Sequence, residues 1–90
     1  MYYEILVNGS SLGVVGHPDV RNMHLSVLVM PDGPEVFATA VCEEAGELWL
    51  YDWIQYAISS SDIVEFRLAA TSTTVTPRNK YKFKSRAGDV

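Results

Sequence analysis

The chain has 90 residues, 48% of them apolar and 20% charged, with a formal net charge of −4. That length supports a single domain over 1–90 with one core and no deep enzyme cleft beside it, and the composition excludes both a disordered polar chain and a long apolar membrane span. Residues 1–77 carry two bases, Arg21 and Arg67, against ten acids, while residues 78–90 carry five bases against one acid, so an acidic body that repels nucleic-acid phosphates precedes a basic tail.

Valine and isoleucine number 15 against 7 leucines, which favours strands. Tyr2 to Val7 and Leu12 to Val15 read as the arms of a hairpin around Asn8-Gly9, because a type I′ turn needs positive φ at both central residues. A two-residue loop there sets Val7 opposite Ser10, Ile5 opposite Leu12 and Tyr3 opposite Val14. Gly16-His17-Pro18-Asp19 reads as a loop. His24 to Met30 follows as a strand with apolar residues on both faces, the pattern of a central strand covered on both sides. Pro31-Asp32-Gly33-Pro34 turns the chain into a return strand, Val36 to Val41, whose small Ala38 and Ala40 leave room for bulky neighbours.

Leu50, Trp53, Ile54, Ala57 and Ile58 fall at i, i+3, i+4, i+7 and i+8, the spacing of one helix face. This predicts a helix that starts between Glu43 and Glu47, with those acids at its positive end, and stops at Ser59-Ser60-Ser61-Asp62. Ile63 to Ala70 alternates as a half-buried strand, with Val64, Phe66 and Leu68 inward. Lys80-Tyr81-Lys82-Phe83-Lys84 sets three lysines on one face and two aromatics on the other, as in a protected edge strand. Residues 85–90 are expected to fray. The order β-β-β-β-α-β predicts an α+β fold: a mostly antiparallel sheet of five or six strands with one helix packed on one face.

Few residues suggest chemistry. Asn8-Gly9-Ser10 matches a glycosylation sequon but reads better as the turn. His17, His24 and Cys42 lack the close pairing of zinc ligands, and Cys42 reads as a small apolar residue at a strand end. Glu43, Glu44, Glu47 and Asp52 read as a solvated acidic cluster. Gly9, Gly13 and Gly16 match no phosphate-binding pattern. No catalytic, cofactor-binding or metal-ligating residue is assigned, no cofactor is implied, and an enzyme is not favoured. Trp49 and Tyr56, seven apart, flank the expected helix face, and Tyr51 lies further round. One helix on one sheet cannot easily bury all three, which marks Trp49, Tyr51 and Tyr56 as an interface or a shallow ligand groove. A lone thiol excludes a disulfide scaffold, and Met1 to Glu4 lack the basic and apolar regions of a signal peptide; a cytoplasmic protein is expected.

The hairpin of Tyr2 to Gly13, the stretch Trp49 to Trp53, the strand Asp62-Ile63-Val64-Glu65-Phe66-Arg67 and the tail Pro77 to Lys84 together resemble short uncharacterised bacterial proteins of the mobile gene cassette type. That resemblance implies no function. The leading expectation is a non-enzymatic, homo-oligomeric interaction module, most simply a dimer, with no membrane partner. A small-ligand or enzymatic site between helix and sheet, lined by Trp49, Trp53, Tyr56 and His24, is the second reading. Nucleic-acid binding through the tail, with Tyr81 and Phe83 stacking on bases, is the third and is disfavoured by the acidic body.

Overall fold

The structure, a computed structural model, describes residues 1–82. Seven strands follow in chain order: β1 (Tyr2–Val7), β2 (Ser10–Gly16), β3 (Val20–Met30), β4 (Gly33–Glu44), β5 (Glu47–Ala57), β6 (Val64–Leu68) and β7 (Asn79–Lys82). They form two antiparallel sheets, a three-stranded one in the order β2-β1-β6 and a four-stranded one in the order β3-β4-β5-β7. Among the described residues there is no helix, so none could cross a membrane. The fold is all-β, and the α+β expectation is overturned.

The expected helix is β5, and a bulge explains the mistaken period. Ala38 pairs with Ile54 and Thr39 with Asp52, so Trp53 is the extra residue. A bulge turns two successive side chains toward one face: Trp53 and Ile54 are 4% and 8% exposed, and both belong to the core. Trp49, Tyr51 and Trp53 alternate before the bulge; Ile54, Tyr56 and Ile58 alternate after it. The phase slip makes the neighbours Trp53 and Ile54 inner-face residues, and with Leu50 and Ala57 of the outer face and Ile58 they fall at a helical spacing. Ala45 (φ 53°) and Gly46 (φ 80°) form the two-residue turn before β5, so Glu43, Glu44 and Glu47 flank a hairpin rather than a helix start.

The first hairpin turns at Asn8 (φ 52°) and Gly9 (φ 81°), and Val7 does face Ser10. The predicted register holds for the next pair as well and is one residue out only from Ile5 onward. Leu6 faces Ser11 and Ile5 faces Gly13, with Leu12 bulged, so Tyr3 meets Val15 rather than Val14. The bulge lets Leu12 and Val15 both reach the core. In β6, Val64 and Phe66 pack against the core, but Leu68 is 67% exposed rather than inward.

The core lies between the sheets. From β4 come Val36, Ala38, Ala40 and Cys42, each at most 1% exposed; Tyr51, Trp53 and Ile54 flank them from β5, and Ile5 and Val15 close over them from the three-stranded sheet. Tyr51 pairs with Ala40 and Ile54 with Ala38, so large residues fill the room left by small ones. Each fully buried aliphatic side chain here contributes about 1.5–3 kcal/mol. The connection from β6 to β7 returns from one sheet to the other, and on the way the Val75 N–H donates to the Val14 carbonyl at 2.9 Å.

Candidate functional site

The β4–β5 turn places Glu44 beside three donors. Lys80 Nζ, from β7, donates to Oε1 at 2.7 Å; His17 Nε2 lies 2.8 Å from Oε2, and the Tyr51 hydroxyl donates to the same oxygen. The Asp19 N–H donates to His17 Nδ1 at 2.9 Å, which leaves Nε2 as the ring nitrogen that gives its proton to Glu44. The bond from Lys80, then those from Tyr51 and His17, pull the Glu44 carboxyl down to about 2. Burial, followed by the bond to Glu44, raises the Tyr51 hydroxyl. The Lys80 ammonium lies 4.8 Å from the Trp49 ring centre and 5.1 Å from that of Tyr51, within cation–π range. The Tyr51 ring also meets His17 and Trp53 at 5.2 Å.

This cluster is a clip rather than a reaction centre. A carboxylate that takes three donors and is held ionised has little basicity left. Its partners come from the loop before β3, from β5 and from β7, so it ties the last strand to the sheet. Two more ion pairs run alongside, Arg78 with Asp52 at 3.0 Å and Lys82 with Glu47 at 2.8 Å. The described part of the basic tail, Arg78 to Lys82, thus lies against acids of its own chain. Lys80 and Lys82 share the inner face with Trp49 and Tyr51, while Tyr81 pairs with Leu50 on the other face and is 53% exposed. Phe83, Lys84 and the expected fraying at 85–90 lie outside the described residues.

The three residues marked in the sequence do not form one site. Tyr51 is buried and Trp49 half-buried, both beside Lys80, whereas Tyr56 is 46% exposed beyond the Trp53 bulge. Two shallow grooves open elsewhere. One, of about 390 Å³, is lined by Val27, Val29, Pro34, Ile58, Val64 and polar groups of 59–62; the other, of about 440 Å³, by Met1, Tyr3, Val20, Asn22, Met23 and Leu25. Trp49, Trp53, Tyr56 and His24 line neither, and with no helix present the expected helix–sheet site has no second wall. Among the described residues, no group of three or more His, Cys, Asp or Glu side chains is placed to hold a metal. Burial raises the Cys42 thiol to about 11.

The surface feature that sequence reasoning missed is β3. Its apolar run reads as a central strand, yet β3 is an edge of the four-stranded sheet. Val27, Leu28 and Val29 are 43%, 47% and 89% exposed. The signal was present in Leu25 to Met30, apolar on both faces, but composition does not say whether a neighbouring strand belongs to the same chain. On the outer face of that sheet Val41 is buried and Phe37, Leu48 and Leu50 are half-buried, apart from the core between the sheets. No family model, curated protein or solved structure matches the chain.

Proposed function

We propose that the protein is a small non-enzymatic interaction module of the cytoplasm that works as a homo-oligomer, most simply a dimer. The observation that carries this reading is the exposed run Val27-Leu28-Val29 on an edge strand of the larger sheet. Consecutive residues of a strand point to opposite faces, so the run presents apolar groups above and below the sheet at once. Surfaces of that kind mark sites of association. The saturated Glu44 cluster supports a structural rather than a catalytic use of the titratable groups. The free, buried Cys42 suits a reducing compartment.

Sedimentation equilibrium of the full chain over a range of concentrations tests the reading. The expected mass is about twice the 10.0 kDa of one chain. A mass of one chain at every concentration overturns it.

A further inference from the structure

Four strands form the edges of the two sheets: β2, β6, β3 and β7. An open edge offers unpaired N–H and C=O groups to any passing strand, and proteins blunt such edges with charge, bulges, short strands or covering segments. Three of the four are blunted. Along β2 there is the bulge at Leu12, and the Val75 N–H takes the Val14 carbonyl. The short strand β6 carries Glu65 and Arg67, joined to each other at 3.1 Å. The short strand β7 carries Lys80 and Lys82.

By contrast, β3 runs from Val20 to Met30, and its bulge, at Arg21, is confined to its start. From Leu25 to Met30 it has no charge, no proline and no bulge. Its pairing with β4 uses the backbone groups on one side only, so along the strand alternate residues aim N–H and C=O away from the sheet. The composition of this stretch is that of a strand with neighbours on both sides, and a second neighbour is what its own chain does not supply among the described residues.

Resting on the oligomeric reading above, we infer that β3 pairs antiparallel with β3 of a second copy of this chain, about a two-fold axis crossing Leu25 to Met30. Any strand is its own antiparallel partner under such an axis, and this stretch brings no like charges together. Arg21, the one charged residue of β3, lies outside the overlap. The joined sheet runs β7-β5-β4-β3 and then, in the partner, β3-β4-β5-β7. Both of its ends are then the lysine-bearing β7, so the assembly closes as a dimer instead of growing into a fibre. Leu25, Val27 and Val29 of both copies lie along the inner face of the seam, and Ser26, Leu28 and Met30 along its outer face.

Single-cysteine scanning tests the pairing, since the native Cys42 is buried and its thiol is raised. Cysteine is placed in turn at His24, Leu25, Ser26, Val27, Leu28 and Val29, and at Leu50 on the outer face, and each full chain is oxidised under mild conditions. Edge pairing gives crosslinked dimer at one or two adjacent β3 positions, those nearest the axis, with a steep fall to either side. Val29→Lys, at a side chain that is 89% exposed, weakens the dimer at least tenfold with an unchanged circular dichroism spectrum. A dimer that crosslinks at no β3 position overturns the edge pairing and leaves the oligomeric reading standing, whether or not Leu50→Cys links. A chain that stays monomeric overturns both.

Discussion

Val75 stands where a β-carbon on Gly13 would have to go. Gly13 adopts φ 124° next to the β2 bulge, and its missing side chain lets the connection between β6 and β7 lie against the strand. Gly13→Ala therefore suffers twice, from a backbone conformation that L-residues avoid and from collision with the valine. The expected loss is about 2–5 kcal/mol. Val75→Ala in the same chain removes the collision but not the strain, so the double variant is less destabilised than the two single losses added together. Urea denaturation of the four proteins measures that coupling.

Asn8 joins the first turn to the end of the β5–β6 connection. Its amide donates to Asp62 Oδ1 at 2.9 Å, and its side-chain oxygen accepts from the Ile63 N–H at 2.9 Å. Asn8→Ala loses both bonds and places alanine at positive φ, for a cost of about 1–3 kcal/mol. Asn8→Gly loses the bonds but keeps an easy φ, so its melting temperature falls between those of the alanine variant and the parent. Equal losses in the two variants would remove φ from the explanation.

Glu44 predicts how acid acts on the fold. Its carboxyl lies at about 2 in the folded chain, through Lys80 first and then Tyr51 and His17, against an ordinary 4.5. Between those values the unfolded chain binds more protons than the folded one, so stability falls as pH drops from about 4.5 toward 2. Glu44→Gln is less stable at neutral pH, and its stability changes less steeply across that window. Denaturant midpoints at a series of acidic pH values check this. A slope identical to the parent's would show that the carboxylate is not coupled to its three donors.

Cys42 is fully buried, and burial is the main cause of its raised thiol, at about 11. Since the thiolate is the reactive form, iodoacetamide should modify it only when the chain opens. Labelling should follow unfolding as denaturant is added, as read by mass spectrometry. Rapid labelling in buffer alone would contradict the placement of Cys42 in the core.

The strands were legible where local chemistry speaks. Asn8-Gly9 announces its turn, and Ile63 to Ala70 shows the alternation of β6. The helix was misread because a single bulged residue, Trp53, shifts the phase of the strand, and Ala45-Gly46 lacks the Asn or Asp that marks many hairpin turns. The bulge at Leu12 displaced the first register in the same way. The division into two sheets has no local signature: that β6 lies beside β1 rather than β5 follows from packing over a long chain separation. Trp49 and Tyr51 read in the sequence as an interface or groove, and the neighbour the structure gives them, Lys80, lies far along the chain. At β3 the apolar pattern reads as a central strand, and its place at the edge of the sheet among the described residues has no local signature.

The pairing of Tyr3 with Leu68 sets an order of events during synthesis. The strands β3, β4 and β5 form a meander of local hairpins that can assemble as soon as they leave the ribosome. The sheet that must cover them stays a lone β1–β2 hairpin until residues 64–68 have been made. Through that interval Ile5 has no strand on its β6 side, and the alanine-lined face of β4 is open to water. Closing so distant a pair costs more chain entropy than forming a local hairpin, so the three-stranded sheet is the last part of the fold that the growing chain can complete.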